Sequence, residues 1–166
     1  MKTMSNDIKV GISDYKIAKA PDQLLTLGLG SCIGIVIYDK KNKIAGLSHI
    51  MLPDSEMFTT RSMIKVEKFA DLAIPAMVEE IKKLQPNHGR LAAKIAGGAS
   101  MFKLANDVKS QNVGERNIEA VEKALKELRI PIVAKHVGGN MGRSIFVNVE
   151  EMTVSIKMVN REVYEL

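Results

Sequence analysis

The strongest constraint on this chain is a pair of apolar runs, CIGIVIYD (32–39) and KIAGLSHIML (43–52), separated only by the polar DKKNK (39–43). Runs of this length rich in Ile, Val and Leu read as closely packed strands, and the polar break reads as a turn, so the two form a hairpin. The preceding LLTLGLG (24–30) adds a third strand, and the glycines along all three mark a bulge or a close backbone approach. At 166 residues the chain is the size of one domain, spanning 1–166, and can bury a core without disulfides or a metal.

The rest of the pattern mixes both periodicities. IKVGI (8–12) reads as a first strand followed by a proline turn, KAPDQ. From Ser62 to Leu84, Met63, Val66, Ala70, Ile74, Met77, Ile81 and Leu84 recur at steps of three or four, the buried stripe of a helix that Pro75 should kink or divide. LAAKIAGGA (91–99) is a strand running into a glycine turn. Residues 112–128 form the clearest helix, with Ile118, Val121, Leu125 and Leu128 on one face and Asn112 and Glu115 at capping-box spacing. PIVAKHVGG, RSIFVNV and TVSIKMV close the chain as strands, the last two alternating with period two. The expected fold class is α+β (mixed α/β), with about nine strands and two main helices and no repeat or linker.

Composition removes several functions. With 46% hydrophobic and 26% charged residues the chain has a globular balance. A single cysteine permits no internal disulfide, and with three scattered histidines it makes no structural zinc site. The polar N-terminus lacks the apolar core of a secretory signal, and no apolar run approaches the ~20 residues of a membrane span, so a soluble cytoplasmic domain is expected. The net charge of +5 is spread along the chain, and aromatic residues are 4% of it. Stacking platforms for nucleic acid are therefore missing; a solvated basic surface or an acidic protein partner fits better.

Two residues carry possible chemistry. Pairing across the 39–43 turn sets Cys32 roughly opposite His49 or Ile50, and directly opposed strand residues have Cβ atoms ~5 Å apart. A thiol near its ordinary pKa of about 8.5 is mostly protonated, and a neighbouring imidazole can take its proton to give a thiolate–imidazolium pair. Thr26, on the strand leading into Cys32, is the candidate to orient that imidazole. The glycines of LGLGSC, Gly30 among them, let a substrate carbonyl approach, and amides around Ser31 and Cys32 could hold an oxyanion. The alternative stays open: a lone cysteine among apolar residues is commonly a small buried hydrophobe, and a histidine at a strand end is commonly only solvated or capped. His88 reads as a turn residue and His136 as a weaker rival base.

TLGLGSCIGIVIYD (26–39) followed by AGLSHIMLPDS (45–55) resembles the CheD family of bacterial and archaeal chemotaxis proteins. KIAGGASMF (94–102), VGERNI (113–118) and VGGNMGRS (137–144) match in the same order, with KIAGG where the family favours KIFGG. The resemblance implies hydrolysis of glutamine side chains on methyl-accepting chemotaxis receptors to glutamate, with glutamyl methyl esters as related substrates. It implies a Cys32–His49–Thr26 triad, no metal or cofactor, and a sandwich of mixed β-sheets flanked by helices, similar to glutamine-deamidating toxin domains. It also implies a partner, the CheC phosphatase of phosphorylated CheY, so a mainly regulatory protein is the second hypothesis. A thiol peptidase is a weaker third, since nothing suggests a cleft for extended backbone.

Overall fold

The computed structural model describes residues 5–57, 64–100 and 112–166. In chain order they form β1 (Asp7–Lys9), β2 (Asp14–Lys19), β3 (Gln23–Leu29), β4 (Ile33–Asp39), β5 (Ile44–Ile50), α1 (Ala70–Leu84), β6 (Leu91–Gly97), α2 (Val113–Glu127), β7 (Ile132–Val137), β8 (Arg143–Asn148), β9 (Thr153–Met158) and β10 (Val163–Glu165). Short 3-10 turns occupy Ser55–Met57 and Val66–Lys68. The strands make two mixed five-stranded sheets, β1-β3-β8-β9-β10 and β2-β5-β4-β6-β7. The fold is α+β.

The two apolar runs are near-continuous because the β4–β5 hairpin lies at the centre of its sheet and is covered on both faces. Ile33, Ile35 and Ile37 of β4 pack with Ala70, Ile74, Met77 and Ile81 of α1 and Val121 and Leu125 of α2. The alternate residues Val36, Ala45 and Leu47 pack with Leu24, Ile145, Val147, Val154 and Ile156 of the other sheet. A layer of helices, the hairpin sheet and the second sheet follow one another, with a hydrophobic core at each junction. The second sheet has one covered face, and β8 and β9 alternate accordingly.

Several elements differ from the sequence expectation. Asp39 pairs with Ile44 instead of Lys43, one residue out of the expected register. Strands β2 and β10 were not anticipated: β2 is a largely half-exposed edge strand, and β10 is a short, wholly exposed one, so neither carries an apolar pattern. The helical stripe is buried at Ala70, Ile74, Met77 and Ile81, but Val66 lies in a 3-10 turn and Leu84 at the exposed helix end. Ser62, Met63 and the end of the 94–102 match lie outside the described residues. Pro75 does not divide α1, which is one continuous helix. The proline removes a single donor, whose partner would have been the Asp71 carbonyl in the first turn.

The turn end of the hairpin is held by one buried carboxylate. Asp39 Oδ1 accepts from the Lys41 and Asn42 amides at 3.0 and 3.2 Å, and Oδ2 accepts from Asn42 Nδ2 and the Gly89 amide, both at 2.6 Å. Burial alone would raise this carboxyl's pKa, but the bonds from Asn42, Gly89 and Lys41 outweigh it and hold it below the ordinary value. Asp39→Ala strands these donors and should cost roughly 2–4 kcal/mol of stability in urea denaturation. Because the Asp39 end lies a strand's length from Cys32, the reactivity of that thiol should not change.

Candidate functional site

The opposite end of the hairpin gathers the chemistry-bearing residues. Even-numbered residues of β4 and odd-numbered residues of β5 face the second sheet, which is why His49 points between the sheets. There its Nδ1 lies 2.7 Å from the hydroxyl of Thr26, on β3 of the facing sheet. Thr26 turns inward just before a bulge between Thr26 and Leu29, where Gly28 takes φ +68°. The bulge absorbs one extra residue so that Leu29 returns to the core.

Hydrogen-bond logic sets the tautomer. The Thr26 hydroxyl has one proton, and it donates that proton to the Val10 carbonyl at 2.8 Å. Toward His49 it can therefore only accept, so Nδ1 carries the ring proton and Nε2 carries the lone pair. His49 is fully buried, and burial lowers its pKa from 6.5 to about 4. Nε2 is buried with no hydrogen-bond partner among the described residues. This is a neutral imidazole, fixed in orientation, with an unused base.

Cys32 precedes β4 by one residue and continues its even-numbered row, packing at the margin of the core between the sheets. The register sets Gly34 directly opposite His49, so Cys32 is the diagonal neighbour of His49, where the sequence arithmetic expected His49 or Ile50 opposite it. Diagonal neighbours lie about 7–8 Å apart, and Gly34 contributes no side chain to that corner. The thiol and Nε2 are not hydrogen-bonded to each other. Burial raises the thiol pKa, with its own backbone amide opposing. Burial thus disfavours the charged form of each group, and with it a resting thiolate–imidazolium pair.

Gly30, Ser31 and Cys32 form a fixed arch. Their three carbonyls accept in turn from the Ala99 amide at 2.9 Å, Asn117 Nδ2 at 2.8 Å and the Gly98 amide at 2.8 Å. In a trans peptide the next N–H points opposite to the carbonyl, so the amides of Ser31 and Cys32 face away from these donors. Neither amide donates to another backbone group among the described residues. Gly97 sits beneath the arch at φ +117°, and a Cβ there would lie 2.2 Å from the Cys32 carbonyl oxygen, so only glycine fits.

The other histidines are elsewhere. His88 bonds the Gly89 carbonyl at the Asp39 end. His136 on β7 takes a bond from Arg143 Nη1 at 2.8 Å and stacks on Tyr164. Sequence reasoning missed Asn117, which is fully buried on α2. Its signal was available: it lies in line with Val121 and Leu125, a polar residue on an apolar stripe. Among the described residues no three His, Cys, Asp or Glu side chains are grouped to hold a metal ion, and no helix is long and apolar enough to cross a membrane.

The fold and site together define a two-sheet α+β domain with an imidazole–hydroxyl pair and a single thiol at one end of its central hairpin. The family model described as CheD chemotactic sensory transduction matches residues 51–158. A Clostridium botulinum protein (strain Eklund 17B / Type B) named probable chemoreceptor glutamine deamidase CheD is 45% identical over 98% of this chain and 99% of its own. Proteins of the same name from Clostridium acetobutylicum and Clostridium tetani are 46% and 48% identical, covering 92% and 96% of this chain and 91% and 96% of their own. The chain belongs to the CheD family.

The buried histidine makes stability depend on pH. As pH falls, the unfolded chain protonates this imidazole near 6.5 while the folded chain resists until about 4. The folded state should therefore lose roughly 3 kcal/mol between pH 6.5 and 4, and none of it above that window. His49→Gln should flatten that part of the curve relative to the parent, read by denaturation at each pH. Thr26→Val leaves the Val10 carbonyl and Nδ1 unpaired; we expect a loss of about 1–3 kcal/mol and a mixed-tautomer nitrogen NMR signature for His49.

Proposed function

We propose that this protein deamidates glutamine side chains of methyl-accepting chemotaxis receptors in the cytoplasm, with Cys32 as nucleophile, His49 as base and Thr26 as the group that orients it. The observation that carries this reading is the 2.7 Å Thr26–His49 bond, which leaves Nε2 as a buried free base on the side of the sheet that holds the only cysteine. The names of the relatives support the substrate.

The chemistry starts from the neutral pair. Sγ attacks the glutamine carboxamide carbon as its proton passes to Nε2, and the carbonyl oxygen becomes an oxyanion facing the amides of Ser31 and Cys32. Gly30 keeps that approach open. The His49 imidazolium then protonates the departing nitrogen, and ammonia leaves a glutamyl thioester. Water attacks the thioester, gives a proton to Nε2, and the returning thiol takes it up as glutamate is released. A glutamyl methyl ester enters the same sequence with methanol as leaving group. Every step uses this chain's own groups, with no metal or cofactor.

A regulatory role with CheC is the second reading, favoured by the exposed apolar Leu27 and Met51 close to Thr26 and His49 in the chain. If such a partner also covers the face around Cys32, binding and deamidation would compete.

Mass spectrometry of a receptor cytoplasmic fragment decides between the two. The protein should convert discrete glutamines to glutamate, with Cys32→Ala and His49→Gln reducing the rate by roughly 10³-fold or more while remaining folded. The lower limb of kcat/KM against pH should fall near pH 4, not near 6.5, because His49 must be neutral to act. Undiminished conversion by Cys32→Ala sinks the mechanism. No conversion by the parent, together with equal stimulation of CheC by parent and Cys32→Ala, leaves the regulatory reading.

A further inference from the structure

We infer that Asn117 is a positioning residue that aims the backbone amide of Cys32 and couples it to the strand carrying His49. Its catalytic consequence rests on Cys32 being the nucleophile; the geometry does not.

Asn117 Nδ2 donates to the Ser31 carbonyl at 2.8 Å and to the Met51 carbonyl at 3.1 Å. Both partners are acceptors only, so the amide nitrogen must face them, which fixes the orientation of the side chain. Its position is fixed as well. Asn117 is fully buried one turn into α2, and that turn is seated against the 97–99 segment. A Cβ on Gly114 would lie 2.5 Å from the Gly98 carbonyl oxygen, and one on Gly98 would lie 2.6 Å from Ile118.

The three carbonyls of the arch are not held alike. Those of Gly30 and Cys32 are bound by backbone amides, whereas the middle one, Ser31, is bound by a side chain reaching from a different layer. The plane between Ser31 and Cys32 is a rigid unit, so a hold on the Ser31 oxygen sets the direction of the Cys32 N–H. That N–H is the one beside Sγ, and it opposes the upward shift of the thiol. It is also a donor for the oxyanion. The second bond ends at Met51, two residues beyond His49. A single amide nitrogen therefore ties the nucleophile's loop to the exit of the base's strand.

The test compares the full-length parent with Asn117→Ala and Asn117→Ser, the latter retaining one donor. Asn117→Ala should lower kcat for receptor glutamine by about 10- to 100-fold with KM changed less than about threefold. The midpoint pH of Cys32 alkylation by iodoacetamide should move upward by about half a unit or more. Amide hydrogen exchange should quicken at 31–33 and 51–52 with the sheets unaffected, and Asn117→Ser should recover part of each change. A folded Asn117→Ala with parental kcat and an unmoved alkylation midpoint overturns the inference, as does a fall in melting temperature alone. Should Asn117→Ala fail to fold, Asn117→Ser is set against the parent in the same measurements, and parental values there overturn the inference equally. If the parent converts no glutamine, the deamidase reading fails by itself, and alkylation and exchange still decide the role of Asn117.

Discussion

The hydrogen bond between Thr26 and His49 joins the two sheets at the site, β3 of one to β5 of the other. It lies in an otherwise apolar interface where an unpaired polar group is costly, so each partner needs the other. Its geometry holds only if β3 and β5 keep their separation and their register, and both depend on the apolar packing of Leu24, Leu47, Ile145 and Val147 around it. The same bond turns a structural requirement into a chemical one. Thr26 gives its only proton to Val10, so satisfying the interface also selects the tautomer that frees Nε2. A hydroxyl can do this without adding a charge between the sheets, whereas a carboxylate in its place would need desolvation of its own.

Around that bond the end of the sandwich is built mostly from backbone. The amides and carbonyls of residues 30–32 interlock with 97–99, Gly97 accepts from Gly138, and Ser100 donates to Gly139. Arg143, almost fully buried, closes the loop at 138–141 by donating to the carbonyls of His136, Gly138 and Met141. Glycine is frequent here because chains pack at distances a Cβ would block, as at Gly97 under the Cys32 carbonyl. The glycine-rich segments carrying the resemblance are thus the segments that touch one another.

How legible this was in the sequence follows from burial. The central hairpin was readable because strands covered on both faces become apolar runs, and α2 because its cap and stripe agree. Strands β2 and β10 were not, since an edge strand gains its place from hydrogen bonds that leave no apolar trace. The register slipped by one because the polar turn can close with different numbers of residues, and Lys43 sits at φ +50° inside it. The register matters for the site: the expectation set Cys32 opposite His49 or Ile50, whereas the observed pairing of Gly34 with His49 leaves Cys32 diagonal to the histidine. Thr26 and His49 were named from the sequence and are bonded, whereas the thiol and Nε2 are not hydrogen-bonded to each other. Asn117 was passed over because a helical asparagine usually points to water, although its place in line with Val121 and Leu125 marks it as buried; the carbonyls it bonds are visible only in three dimensions.

The diagonal has a chemical consequence. A thiol and an imidazole in direct contact would share a proton in the resting protein, and the thiolate would be exposed to any electrophile at the half-open Cys32 position. Here burial raises one group and lowers the other, so each favours its neutral form. In the proposed deamidation, a carboxamide entering beside Cys32 would exclude water and offer the carbon on which the sulfur electrons can settle, and the developing oxyanion would meet the Ser31 and Cys32 amides, which donate to no other backbone group among the described residues. On that proposal, charge would appear only as the tetrahedral species forms, and as a pair, imidazolium and oxyanion. Favouring that charged state over the resting one is what differential stabilisation of a transition state requires. On that proposal, the positions of the arch amides and of the Thr26 hydroxyl would matter more to this site than a preformed ion pair.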